Sequence, residues 1–118
     1  MDERQLKGSL GLAYKAGQLI PGADKALMAL REGKAALMLL DQGTAVNTRK
    51  KLADGCAYRG VTLLELPEGL LGQAIGRPGV NAAAMTAGGM AGKIQQTITG
   101  GEKNSAAKNI LEDTRLHG

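Results

Sequence analysis

From Asp2 to Ala16 the apolar positions Leu6, Leu10 and Ala13 recur at helical spacing, and Gly17 offers a stop. Leu19 and Ile20 form a short strand-like pair that runs into Pro21-Gly22. Ala26, Leu27 and Leu30 then resume helical spacing among strong helix formers, which predicts a helix from about Ala23 to Glu32, ended by Gly33. Ala35 to Leu40 is unbroken apolar sequence and reads as a strand covered on both faces. Gly43-Thr44 restarts the chain. Thr44 is expected to cap a helix reaching about Asp54 and closed by Gly55, with Val46, Leu52 and Ala53 turned to the core. Asn47, Arg49, Lys50, Lys51 and Asp54 are left outside, and the basic triplet reads as a solvated face.

Val61 to Leu66 is a further strand, stopped by Pro67, and Pro67 opens a short helix, Glu68 to Ile75. Arg77-Pro78-Gly79 is a loop, Val80 to Thr86 an alanine-rich strand, and Gly88 to Thr99 a last helix with Met90, Ile94 and Ile98 on one stripe. Gly100-Gly101 breaks the pattern. Residues 1–100 therefore read as one domain and 101–118 as a polar tail, flexible or forming a short helix over Ser105 to Leu116 around Ile110 and Leu111. There is no internal repeat, and short strands alternating with helices indicate an α/β sandwich.

Composition alters this picture in two respects. The chain of 118 residues is 43% apolar but has no Phe or Trp, and only Tyr14 and Tyr58 are aromatic, so Ala, Leu, Met and Gly must pack the core. The net charge of +4 and a pI near 9.4 suit an anionic partner. Cys56 is the only cysteine, which excludes an internal disulfide, and it has no Cys or His at metal-ligand spacing. A catalytic pairing of Cys56 with the sole histidine, His117, is outweighed by a buried structural cysteine. The first residues carry no signal-peptide core and no run reaches membrane-spanning length, so the expected setting is a reducing cytoplasm, with no membrane partner. The carboxylates are scattered among basic residues without a partnering His, so neither an enzyme nor a small-molecule substrate, cofactor or metal is expected.

The chemistry-bearing stretch is the turn from Leu19-Ile20 into the helix that follows. Gly22 permits a sharp turn and close ligand approach, and the free N–H groups of the first helical turn, with the positive dipole end, favour a phosphate. A ligand-free glycine turn is the plainer reading of this fragment. A second glycine-rich stretch, Ala87-Gly-Gly-Met-Ala-Gly-Lys93-Ile94, follows a strand and opens a helix as a phosphate-binding P-loop does. It lacks the first glycine at Ala87 and the magnesium-holding Ser or Thr at Ile94, which argues against nucleotide hydrolysis.

Several blocks occur together in register: Gly11-Leu-Ala-Tyr-Lys-Ala-Gly17, Pro21-Gly-Ala-Asp24, Asn47-Thr-Arg-Lys-Lys51, Leu71-Gly-Gln-Ala-Ile-Gly76 and Gly89-Met-Ala-Gly-Lys-Ile94. In order and spacing they resemble the bacterial YlxQ-type proteins, paralogues of the kink-turn-binding ribosomal proteins of the L-seven-Ae type, over roughly Leu6 to Thr99. The resemblance implies a three-layer α/β/α sandwich with a mixed four-stranded sheet. It also implies binding of bent RNA by the start of the second helix, whose polar side chains read guanine edges while amides and basic residues meet crowded phosphates. A loop before the last strand, here Arg77 to Asn81, would close over an extruded nucleotide.

Residue by residue, the resemblance implies phosphate capture around Gly22 and Ala23 with Lys25, base-edge reading by Asp24, phosphate contact by Arg77, and an apolar surface from Pro78 or Val80, with Gly79 between them in the clamping loop. Arg31, two turns along the helix, is a more distant candidate. Kink-turn binders of the family carry Gly-x-Asn-Glu-x-x-Lys at the helix start, whereas this chain has Gly22-Ala-Asp24-Lys25-Ala-Leu-Met28. Asp24 accepts but cannot donate, Lys25 suits phosphate better than guanine, and Met28 removes a cation. The expectation is a monomeric, cytoplasmic binder of structured RNA, ribosomal RNA included, with relaxed or altered specificity. The alternative is a protein-interaction module on the same fold that has lost specific RNA recognition.

Overall fold

Asp2 opens the first helix as its N-cap, its Oδ1 accepting the backbone N–H groups of Arg4 at 3.0 Å and Gln5 at 3.2 Å. The computed structural model describes residues 2–99, so the tail predicted from 101 onward, with its candidate helix Ser105 to Leu116, lies outside the described residues. Nine elements follow in order: α1 (Glu3–Lys15), β1 (Leu19–Pro21), α2 (Ala23–Arg31), β2 (Ala35–Asp41), α3 (Val46–Arg59), β3 (Thr62–Leu66), α4 (Leu70–Ile75), β4 (Ala82–Thr86) and α5 (Gly89–Thr99).

The four strands form one mixed sheet in the order β1-β4-β2-β3. β2 and β3 run parallel, and β4 runs antiparallel to both of its neighbours, β1 and β2. Side chains alternate across the sheet, as the two-residue strand period requires. Leu37 and Leu39 of β2 and Ala83 and Met85 of β4 face α1, α4 and α5. Met38, Leu40, Ala82 and Ala84 face α2 and α3. This is the three-layer α/β/α sandwich with a mixed four-stranded sheet. Leucines replace the missing aromatics: Leu6, Leu10, Leu37, Leu39, Leu64 and Leu71 are all fully buried. Each contributes roughly 1.5–3 kcal/mol relative to exposure.

Several element boundaries differ from the pattern reading, each for a local reason. Thr44 does not cap α3; its hydroxyl donates to the Asn81 carbonyl at 3.1 Å, and α3 begins two residues later. Gly55 does not end α3 either, which continues to the left-handed Gly60. A Cβ at Gly55 would lie 2.9 Å from Leu30 Cδ2, so this glycine lets α2 approach α3. The later start also turns Val46 outward, 76% exposed, while Leu52 and Cys56 occupy the buried face. Glu68 and Gly69 form a turn ahead of α4, and Val80 and Asn81 belong to the loop ahead of β4.

Candidate functional site

Because β4 runs against the other three strands, the carboxyl ends of β1, β2 and β3 share one sheet edge with the amino end of β4. The start of α2 and the loops β2–α3, β3–α4 and α4–β4 all gather there. Ligands of open α/β sheets commonly sit beyond the carboxyl ends of strands, where the chain switches direction.

Gly22 makes the entry into α2 possible. Its backbone, at φ +103° and ψ 134°, lies in a region that residues with a Cβ rarely adopt. Its N–H donates to the Ala82 carbonyl at 2.8 Å and its own carbonyl accepts from Ala26 at 2.8 Å. The Gly22 amide is therefore occupied, and the open first-turn donors are those of Ala23, Asp24 and Lys25, which precede that first intrahelical bond. Asp24 and Lys25 are exposed, and Met28, one turn on, is 58% exposed.

The facing loop is held from two sides. Asp41, 4% exposed, accepts the Gly43 N–H at 2.6 Å through Oδ1 and the Gly69 N–H at 2.7 Å through Oδ2, which ties the β2–α3 loop to the β3–α4 turn. Its own N–H donates to the Asn81 carbonyl at 2.8 Å, the same oxygen that Thr44 caps. Gly72 of α4 has the Arg77 carbonyl 3.0 Å and Pro78 Cα 3.3 Å from where a Cβ would stand, so the loop folds back closely over the helix. Between these loops lies an open cleft of about 290 Å³, walled by Asp41, Glu68, Gln73, Pro78, Gly79 and Asn81. Lys7 reaches its wall from α1, Nζ donating to Gln73 Oε1 at 3.3 Å.

The structure thus brings Gly22, Ala23, Asp24 and Lys25 to the same edge as Arg77, Pro78, Gly79 and Val80. Arg77, Pro78 and Gly79 are exposed, and Val80 is half-buried against the α1/α4/α5 layer while still lining the cleft. Arg31 stands apart, at the far end of α2, about 12 Å along the axis from Ala23 at 1.5 Å per residue. Sequence reasoning did not place Asp41, Thr44, Glu68 or Gln73 at the site. The Asp41-Gln-Gly-Thr44 run carries an Asx-turn signature that marks the first two, whereas nothing local marks Glu68 or Gln73.

The other sequence candidates are the second glycine loop, the basic triplet and Cys56. Only Ala87 and Gly88 connect β4 to α5, at the opposite sheet edge, too short a loop to encircle a phosphate chain, and Lys93 is exposed on α5. Of the basic triplet, Arg49 is engaged, pairing with Glu65 and donating to the Gln42 carbonyl at 3.0 Å, while Lys50 and Lys51 are exposed. Burial pushes the Cys56 thiol up to about 12, which keeps it protonated and inert. Among the described residues no cluster of His, Cys, Asp or Glu could hold a metal ion, and no helix is long and apolar enough to cross a membrane.

Several known proteins are similar to this chain in sequence or in fold. The RNA-binding protein YlxQ of Bacillus subtilis (strain 168) is 34% identical over 86 residues, 72% of this chain and 86% of that protein. The RNA-binding protein YlxQ of Enterococcus faecium is 33% identical over 92 residues, 77% of this chain and 88% of its own. Among solved structures, a Bacillus halodurans C protein with unknown function superposes with a TM-score of 0.72 at 27% identity, covering 76% of this chain and 92% of that one. The Giardia lamblia 15.5kD RNA binding protein shares the fold, with a TM-score of 0.68 at 20% identity over 86% and 88% of the two chains. Residues 4–94 match a single family description along nearly the whole α/β/α unit, and the chain belongs to the ribosomal protein L7Ae/L30e/S12e/Gadd45 family.

Proposed function

We propose that this protein is a non-enzymatic RNA-binding protein that grips sharply bent, structured RNA at the edge where α2 begins, with ribosomal RNA as its natural source. The observation that carries the reading is the hydrogen bond from Gly22 to Ala82, which seats the open end of α2 beside the α4–β4 loop. The amides of Ala23, Asp24 and Lys25, with the Lys25 ammonium, suit a phosphate pinched at a bend. Asp24 accepts from a guanine or cytosine edge. The cleft, near the lower end of the volumes that hold small ligands, receives an unstacked base. Glu68 on its wall favours a base that offers N–H donors over a phosphate, and Arg77 meets backbone at the rim.

The test is titration of a labelled kink-turn RNA and an unbent duplex of equal length at several salt concentrations, with Lys25→Ala and Arg77→Ala alongside. A preference for the kinked RNA, weakened about five- to twentyfold by either substitution, supports the reading. Equal, weak and steeply salt-dependent binding to both RNAs means a basic surface without shape recognition. No binding at low salt would leave a protein partner as the occupant, for which the exposed Met28 on the outer face of α2 is the nearest anchor.

A further inference from the structure

The far end of α2 carries a second surface that the bend-gripping edge does not use. A groove of about 400 Å³ runs between α2 and α3. Its floor is Leu27, Leu30 and Gly55, and the missing Cβ of Gly55 is what lets the two helices close over it. Its rim carries Arg31 from the last turn of α2, and Lys51, Tyr58 and Arg59 from α3, against one carboxylate, Asp54. All five rim residues are exposed. The ion pairs among the described residues are Lys34 with Glu32 and Arg49 with Glu65, so none of the three groove cations is neutralised by a carboxylate.

Tyr58 is 84% exposed in a chain that has only two aromatic residues and no Trp or Phe. Its ring packs on no core cluster and has the Arg59 guanidinium 5.7 Å from its centroid. An aromatic face left in solvent beside unpaired cations is the combination that binds single-stranded nucleic acid: phosphates follow the charge and a base stacks on the ring. An acidic peptide would use the charges but leave the ring without a partner of matching shape. Position agrees with this. Lys25, Met28 and Arg31 fall at three-residue intervals along the outer face of α2, so the helix leads over about 12 Å from the bend-gripping edge to the groove.

We infer that the α2–α3 groove is a second RNA site, taking the single-stranded segment that flanks the bent element, with its phosphates on Arg31, Lys51 and Arg59 and one unstacked base on Tyr58. The inference rests on the reading above for RNA as the ligand class and adds a separate surface to it.

The full chain carrying Tyr58→Trp places the only indole of the protein on the groove rim. It is titrated with a blunt kink-turn RNA, with the same RNA extended by an eight-nucleotide single-stranded overhang (roughly the site size of one single-strand-binding module), and with an overhung straight duplex. The triple variant Arg31→Ala, Lys51→Ala, Arg59→Ala changes exposed side chains only, and its thermal melt checks that the fold is kept. The expected result is about tenfold tighter binding of the overhung RNA and quenching of the indole fluorescence by that RNA but not by the blunt one. The triple variant should erase the gain and flatten the salt dependence of the overhung complex by about two log units per log unit, while leaving blunt RNA unaffected. An overhang that neither tightens binding nor quenches the indole would overturn the groove and leave the bend reading intact. Quenching by overhung RNA without any preference for the kink would uphold the groove and overturn the bend reading. If no RNA binds, both fail and the groove becomes a protein-facing surface.

Discussion

Replacing Asp41 by alanine should loosen the functional edge more than any other single change to an acidic residue. The carboxylate accepts two backbone N–H groups at 2.6 and 2.7 Å, from Gly43 and Gly69, and is 4% exposed. Charge-assisted bonds of this kind contribute roughly 1.5–3 kcal/mol each, or about 3–6 kcal/mol gross. Part of that is offset because alanine carries no buried charge to desolvate, and because the exposed Gly43 amide can turn to water. The net loss should be about 2–4 kcal/mol, a large fraction of the roughly 5–15 kcal/mol typical of a domain. At roughly 5 °C per kcal/mol, the melting temperature should fall by about 10–20 °C. Urea unfolding followed by circular dichroism measures it, with the midpoint lowered and the slope m retained if the loss is one of stability alone. Asp24→Ala, an exposed position, is the control and should stay within about 0.5 kcal/mol. An Asp41→Ala protein that unfolds within that same margin would refute the view that this carboxylate holds the two loops together.

Two glycine substitutions should shift stability in opposite directions. Gly72→Ala drives a Cβ to 3.0 Å from the Arg77 carbonyl, and should cost about 1–3 kcal/mol and displace the loop despite alanine's better helix propensity. Gly8→Ala, with nothing within 4 Å on an exposed turn of α1, should stabilise by about 0.5–1 kcal/mol; equal signs in urea midpoints would contradict the packing described. Cys56 should resist a thiol reagent at pH 8 until denaturant is added, and rapid labelling of the native protein would show that the thiol is not buried. Its raised pKa also sets a sign. The unfolded thiol ionises near 9 and the folded one at about 12, so the contribution to stability is complete below pH 9. Above that it declines by about 1.4 kcal/mol per pH unit as the pH climbs towards 12, an effect that Cys56→Ala should remove from a stability–pH profile.

Much of this architecture was legible in the pattern of residues. Leu6, Leu10 and Ala13 do bury one face of α1, the apolar run Ala35 to Leu40 is a strand, covered on both faces from Leu37 onward although Ala36 is exposed, and Leu19-Ile20-Pro21-Gly22 does turn from strand into helix. The errors cluster in α3. Thr44 and Gly55 carry ordinary cap and stop chemistry, yet the Thr44 hydroxyl is engaged by Asn81 and Gly55 is required by Leu30. Local propensity is a weak prior that such contacts override.

By itself the sequence determined the succession of elements and the face each would bury, because side-chain period and glycine or proline punctuation are local properties. It also set the altered chemistry at the helix start, where Asp24, Lys25 and Met28 stand. Only the tertiary structure decided which loops meet. Placing β4 antiparallel between β1 and β2 carries Asn81 and Ala82 to Asp41 and Gly22, and the same packing opens the basic groove between α2 and α3. Strand order arises from pairing between segments far apart in the chain, whose free energy depends on the whole core closing at once, so no window of residues contains it.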